Sequence, residues 1–161
     1  MNTMISSART ARLAREVKLF QTKPPWGVSC HPEKEDQCDV LLVKMLGPKG
    51  SPYENGSFKL TITIPEKYPF EPPIVKFITP VYHPNIDKGG RICMDMLKMP
   101  PKGAWLPTIT LEYLLISIQA LLANPNPDDP LMLDVANEYK YDVDKFMENA
   151  RLHTDKYAVE L

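Results

Sequence analysis

The 161-residue sequence has no run of roughly 18 to 20 apolar residues, the length a membrane-spanning helix requires. Met1 to Arg12 has no apolar stretch of the kind a secretory leader carries. Charge of one sign is also missing, since 19 basic side chains face 20 acidic ones for a net −1. That balance argues against an electrostatic grip on nucleic acid, which needs clustered Lys and Arg to displace counterions. Cysteine is scarce: Cys30, Cys38 and Cys93 are odd in number and irregular in spacing, with no CxxC pair. They make neither a disulfide framework nor a zinc site, and they suit a reduced compartment, nucleus and/or cytoplasm. No GxxxxGK[ST] run is present to cradle nucleotide phosphates. There is no internal repeat. Asn55-Gly56-Ser57 matches a glycosylation sequon and reads as a turn in a chain without a leader.

Hydrophobic residues make up 43%, enough for one core, and the length fits a single domain over 1–161. The 17 prolines cluster in Pro65 to Pro84, Pro100 to Pro107 and Pro125 to Pro130. Proline fixes φ and lacks a donor N–H, which confines it to loops, edges and first helical turns. Tyr68, Phe70, Phe77, Tyr82 and Trp105 share the first two of those stretches, and aromatics of that size seek burial. Ordered, packed loops are therefore expected.

Leu13, Val17 and Phe20 recur at i, i+4, i+7 and predict a helix from Ser7 to about Phe20, with Arg9, Arg12 and Arg15 off the stripe and Pro24-Pro25 as the stop. Strands are expected at Val28–His31, Val40–Leu46, Phe58–Ile64 and Val75–Ile78, the third by strict alternation with Lys59, Thr61 and Thr63. A long segment follows, Thr79 to Pro107, of a length that inside a compact domain is usually functional. Thr110 caps a helix through Ala123 whose apolar face is Leu111, Leu114, Leu115, Ile118 and Leu122. Asp129-Pro130 reads as the start of a helix over Leu131–Tyr139, and Asp142 opens a last helix carrying Phe146, Ala150 and Tyr157. One helix, an antiparallel meander, a long loop and three helices make an α+β fold.

Cys93 lies in that loop, within Gly89-Gly90-Arg91-Ile92-Cys93-Met94-Asp95. A lone cysteine in apolar surroundings is ordinarily inert, the reading that suits Cys30 and Cys38. A Cys–His protease has only His31, His83 and His153 to draw on, and no protease signature accompanies them. His83-Pro84-Asn85 precedes Cys93 by eight residues. His83 suits a turn held by ring hydrogen bonds. Asn85 offers an amide that either braces the loop or donates to an oxyanion.

Tyr82-His83-Pro84-Asn85-Ile86 followed by Gly90-Arg91-Ile92-Cys93-Met94-Asp95 resembles the active-site segment of ubiquitin-conjugating enzymes. Tyr68-Pro69-Phe70-Glu71-Pro72-Pro73, Trp105-Leu106-Pro107 and Asn126-Pro127-Asp128-Asp129-Pro130-Leu131 resemble further signatures of that family, in order, across about Ser7 to Tyr157. Within the family, Lys98-Met99-Pro100-Pro101-Lys102-Gly103-Ala104-Trp105 is similar to the insert of the T-type branch, which serves the Fanconi anaemia DNA-repair pathway; Pro24-Pro25 and Glu138-Tyr139-Lys140-Tyr141 point the same way.

The resemblance implies the ubiquitin-conjugating fold and a thioester between Cys93 and the ubiquitin C-terminus, received from a separate activating enzyme that alone uses ATP. No cofactor or metal is implied. It gives Asn85 the oxyanion, Asp129 the incoming lysine of a protein substrate, and Asp95 and Leu131 the entry groove, and it counts His83 with them among the catalytic residues. Arg9, Arg12, Pro69, Phe70, Leu106 and Pro107 match the surface that docks RING-type ligases. Leu106 departs from the branch, which tends to be basic there. Arg9 and Arg12 have the alternative of a solvated helix face, and Lys98 and Lys102 read first as solvated loop charges, with steering of an acidic substrate as alternative. Tyr113, Ile116 and Ala120 match the face that holds donor ubiquitin, with the core rim as alternative. Two other functions stay open: a non-catalytic ubiquitin-binding module, which would lack Cys93, and transfer of another ubiquitin-like modifier. Neither nucleic acid nor a membrane is an expected partner.

Overall fold

The computed structural model describes residues 3–160. Met1, Asn2 and Leu161, part of the single domain expected over 1–161, lie outside them. The element order is α1 (Thr3–Thr22), β1 (Val28–Lys34), β2 (Gln37–Leu46), β3 (Ser57–Thr63), β4 (Ile74–Phe77), α2 (Leu111–Ala123), α3 (Leu133–Tyr141) and α4 (Val143–Tyr157), with a 3₁₀ turn at Asp95–Leu97. The expected helix, four-stranded antiparallel meander and three closing helices are all present.

The strands pair in chain order, β1-β2-β3-β4. Register places Cys30, Val43, Leu60 and Phe77 in one cross-sheet row and Pro32, Leu41, Ile62 and Val75 in another. All but half-buried Pro32 are buried, so the period-2 pattern turns one face of the sheet inward. The five apolar residues read on α2 are its buried residues, and they join that face in a single core with Leu13, Val17 and Phe20 of α1. Thr110 caps α2, its hydroxyl accepting from Tyr113 N at 3.1 Å.

Several boundaries differ from the sequence reading. Helix α1 begins upstream of Ser7 and runs two residues past Phe20, until the Pro24-Pro25 pair forbids continuation. Strand β1 extends through Pro32 to Lys34. It is an edge strand, where proline's missing donor costs no ladder bond, and its register shifts between Pro32 and Lys34. Strand β2 begins at Gln37 and β4 ends at Phe77. The expected helix over Leu131–Tyr139 starts at Leu133, and Asp129 does not cap it, because the N–H groups of Leu131 and Met132 are drawn to the Pro84 carbonyl instead. On α4 the buried face is Phe146, Ala150 and Thr154; Tyr157 is exposed, stacked on His153 at 4.5 Å.

The long loop is ordered, as its aromatics imply. Trp105 is among the largest fully buried side chains, and the Tyr82 carbonyl accepts from the hydroxyl of buried Tyr53. Phe77 N donates to Gly90 O at 3.0 Å and Lys76 bridges Arg91, so the loop returns alongside β4 before reaching Cys93. Gly90 holds φ +85, and a Cβ there would lie 1.9 Å from the Phe77 carbonyl oxygen. Gly50 has a similar φ of +80 but open space around it. Gly90→Ala is therefore expected to destabilise by about 3 kcal/mol or more, combining strain with a backbone clash. Gly50→Ala carries the strain alone, about 1 to 2 kcal/mol. Chemical denaturation of the two variants measures the difference, and equal losses would contradict it.

Candidate active site

The loop between β4 and α2 folds back through local hydrogen bonds. Asp87 Oδ1 accepts from Gly89 N and Arg91 N, closing a turn that sends residues 90–93 back along β4. Arg91 holds the other Asp87 oxygen at 2.6 Å, and these bonds lower the Asp87 pKa in spite of some burial. Cys93 N then donates to Asn85 O at 2.8 Å. Pairing through Ile86 and Ile92, both buried, seats this turn on the core. The result is a half-buried thiol at a groove of about 420 Å³ lined by Pro72, Pro73, Ile74 and Lys76 together with Ile92, Leu97, Lys98 and Leu131.

Asn85 organises the far side of the site. Its side chain is buried; Nδ2 donates to Asn126 O at 2.8 Å and Asp129 O at 3.1 Å, while Oδ1 accepts from Asn126 N at 2.8 Å. Both amide hydrogens are thus engaged, and the amide clamps the 126–129 segment beside the cysteine. Leu131 N and Met132 N complete the clamp on Pro84 O. Asp129 is left with its carboxylate exposed at the mouth of the site, where the Cys93 thiol donates to Oδ2 at 3.4 Å. Lys140 of α3 holds neighbouring Asp128 at 3.0 Å.

His83 does not reach the thiol. Its Nδ1 accepts from Asn85 N at 2.9 Å and its Nε2 bonds Leu121 O at 2.8 Å, an arrangement that braces the turn. Burial lowers its pKa to about 4, so it is a neutral, satisfied ring rather than a base for Cys93. His31 sits on β1 and His153 within the aromatics of α4, which removes the Cys–His protease. Cys30 is buried in the core, and burial pushes its thiol up to about 12.

The Cys93 pKa is raised above the ordinary thiol value, first by burial, then by donation to Asp129, with Asp129 and Asp95 adding unfavourable charge. Lys98 opposes these effects by attraction for the thiolate. The sequence reading of Lys98 as a loop charge is therefore incomplete, since the side chain lines the groove and acts on Cys93. Nothing in the local pattern distinguishes it from Lys102; the 3₁₀ turn at Asp95–Leu97 does. Ile74 and Lys76 also line the groove and escaped sequence reasoning, and Pro73 and Asn126, quoted only within longer signatures, were given no site role; sheet pairing and loop closure bring all four there. Among the described residues, no group of three His, Cys, Asp or Glu side chains could hold a metal ion, and no helix is long and apolar enough to cross a membrane.

Arg9 and Arg12 are not a solvated face. Arg9 bonds Asp39 at 2.8 Å together with the carbonyls of Pro65 and Ile64. Arg12 bonds the carbonyls of Pro107 and Ile109. Their side chains are only 18% and 16% exposed. Pro69 is buried and its carbonyl accepts from Trp105 Nε1 at 3.0 Å, which joins the two loops that present Phe70 (50% exposed) and Leu106 (56%). Tyr113, Ile116 and Ala120 line the solvent side of α2, away from its buried face.

Known proteins match this arrangement. A family model described as Ubiquitin-conjugating enzyme covers residues 12–154. The chain is 53% identical to "Ubiquitin-conjugating enzyme E2 T" of Homo sapiens over 150 residues, 93% of this chain and 76% of that protein. Identity to the protein of the same name in Xenopus laevis is 52% over 94% of this chain and 78% of that one. "Ubiquitin-conjugating enzyme E2 N" of Drosophila melanogaster is 44% identical over 96% of this chain and 99% of its own length. The T-type resemblance carried by the Lys98–Trp105 insert agrees with the first two of these relatives.

The electrostatics of Cys93 give a direct test. A raised thiol pKa leaves little thiolate at neutral pH, so alkylation of Cys93 is expected to climb with pH to a midpoint above the ordinary thiol value. Asp129→Asn removes a negative charge that opposes the thiolate and is expected to move that midpoint down. Lys98→Gln removes the attraction and is expected to move it up. Iodoacetamide labelling across pH in a Cys38→Ser background, read by mass spectrometry, measures both, and shifts of the opposite sign would contradict the assignment.

Proposed function

The chain belongs to the ubiquitin-conjugating enzyme family, and from that premise we propose that Cys93 carries ubiquitin and that a RING-type ligase directs its transfer to a substrate lysine in DNA interstrand crosslink repair. The observation that carries the reading is the exposed Asp129 carboxylate 3.4 Å from the Cys93 thiol, beside a groove open to solvent. The T-type relatives and the Lys98–Trp105 insert support the repair setting, and the free cysteines support a reduced compartment, nucleus and/or cytoplasm.

In loading, the Cys93 thiolate attacks the thioester of ubiquitin on the activating enzyme. The C–S bond to the donor breaks, its thiolate leaves, and ubiquitin's terminal glycine is esterified to Sγ. In transfer, the substrate amine attacks that carbonyl. The oxyanion formed collapses with loss of the Cys93 thiolate and of one amine proton, giving an amide. This chain supplies no cofactor in either step. A thiol held above its ordinary pKa suits a relay of this kind, since the acyl group arrives already activated. Asp129 meets the incoming ammonium at the mouth of the site, orients it and accepts its proton.

Asn85 has two roles to reconcile. An oxyanion donor must free an amide hydrogen now held by Asn126 O or Asp129 O. The clamp itself places Asp129, so part of any Asn85 effect passes through that carboxylate. Phe70 and Leu106 supply the apolar ligase contacts. Tyr113, Ile116 and Ala120 supply a partly exposed strip for the tethered ubiquitin.

Two experiments test the reading. With ubiquitin, activating enzyme and ATP, wild type is expected to form a reductant-sensitive adduct, Cys93→Ser a reductant-resistant oxyester, and Cys93→Ala none. Full charging of Cys93→Ala would overturn the assignment. In single-turnover discharge to free lysine, Asn85→Ala is expected to lose about a hundred-fold or more in rate at every pH. Asp129→Asn is expected to lose less, with a defect that shrinks as pH rises and free lysine deprotonates unaided. A pH-independent Asp129→Asn defect in a folded protein would remove proton transfer and leave positioning. The double variant separates the Asn85 roles: a loss no greater than that of Asn85→Ala alone assigns Asn85 to holding Asp129.

A further inference from the structure

Glu16 takes no part in the chemistry at Cys93, yet among the described residues it is the one charged side chain that is buried, 5% exposed. Its Oε1 accepts from the backbone N–H of Leu111, the first residue of α2, at 2.7 Å. Its Oε2 accepts from the Tyr68 hydroxyl and pairs with Arg12 Nε at 3.2 Å. Each of those partners leads to a different loop. Tyr68 precedes Pro69, whose carbonyl takes the Trp105 indole N–H. Arg12 continues to the carbonyls of Pro107 and Ile109, and its guanidinium lies 5.5 Å from the centre of the Tyr68 ring. One carboxylate therefore touches α1, the start of α2 and, through Tyr68 and Arg12, both loops that carry Phe70 and Leu106.

We propose that Glu16 is a positioning residue for ligase docking: its buried carboxylate holds Arg12 and Tyr68 so that Phe70 and Leu106 stand at the spacing a RING domain meets. The inference rests on the ligase reading of those loops given above. Its physical basis is preorganisation. Phe70 and Leu106 are apolar side chains on loops, and a loop ordered only on binding loses affinity to that ordering. The charge of Glu16 matters more than its size. Arg12 and Tyr68 both approach Oε2 as donors, and burial with the Glu16 hydrogen bond keeps the Tyr68 phenol protonated, far above its ordinary pKa. A glutamine fits the space, but its N–H₂ meets either those donors or the Leu111 N–H. The arginine then lies beside a buried group that no longer balances it. This also gives Arg12 a role that its low exposure demands: it aligns the docking loop from behind rather than meeting the ligase as a free cation.

The test is single-turnover discharge of Cys93-linked ubiquitin to free lysine, titrated with a purified RING domain chosen because it stimulates discharge from the wild-type protein. E16Q is expected to raise the half-saturating RING concentration about ten-fold, while the rates without RING and at saturating RING stay within about two-fold of wild type. Y68F, which removes one donor and keeps the ring, is expected to raise it by about three-fold. A half-saturating concentration unchanged in both variants overturns the proposal. So does a uniform fall of all rates at unchanged half-saturation, the signature of a smaller folded fraction. If E16Q does not fold, Y68F decides alone. Failure of the wild type to charge Cys93, or to respond to any RING domain, would instead remove the functional reading beneath it.

Discussion

The side-chain amide of Asn85 is the interaction on which the site depends. Buried and saturated by three hydrogen bonds to the main chain of the 126–129 segment, it joins two loops that are 41 to 44 residues apart. A buried amide left unpaired is costly, and here the neighbouring carbonyls and N–H meet it completely. Cys93 hangs from the Asn85 carbonyl and Asp129 from its amide. Thiol and carboxylate thus share one anchor, and their 3.4 Å separation follows from it. His83 holds Asn85 in turn, which gives a buried neutral ring a purpose that involves no proton transfer.

A second anchor lies at the opposite end. The Glu16 carboxylate gathers the start of α2, the Tyr68 loop and Arg12, while the indole N–H of Trp105 ties its loop to Pro69. Between the two anchors runs α2, with five leucine and isoleucine side chains in the core and a solvent side carrying Tyr113, Ile116 and Ala120. The two polar anchors therefore sit at the rims of a rigid apolar slab. That arrangement keeps surface loops rich in proline ordered without regular secondary structure.

Electrostatics at Cys93 run against those of a self-activating thiol. Burial, Asp129 and Asp95 disfavour the thiolate, and Lys98 offsets them only in part. A protease nucleophile needs its pKa depressed by a nearby base or cation. A carrier has a different need: it takes an acyl group from another thioester and must give it up to an amine. The carboxylate that raises the thiol pKa is exposed at the mouth of the site, and on the proposed function it is the group that meets a cationic lysine.

Much of this was legible in the residues alone. Leu60, Ile62 and their neighbours alternate, and Leu111 to Leu122 repeat at helical spacing, because burial on one face imposes those periods whatever the rest of the chain does. The motif around Cys93 carried the family, and with it the expectation that Cys93, Asn85 and Asp129 lie together. Other features depend on contacts between distant segments, which no local pattern encodes. Asp129-Pro130 has the chemistry of a helix start, but the Pro84 carbonyl captures the N–H groups of Leu131 and Met132 and delays α3 to Leu133. Arg9 and Arg12 look like a solvated helix face until the carbonyls at 64, 65, 107 and 109 arrive to take their hydrogens. Lys98 and Lys102 are alike in sequence, and only the fold of the loop puts Lys98 beside the thiol. Composition and periodicity determined which residues are buried and which elements form; the tertiary structure decided which polar groups satisfy one another, because a hydrogen bond between loops exists only once the core has brought those loops together.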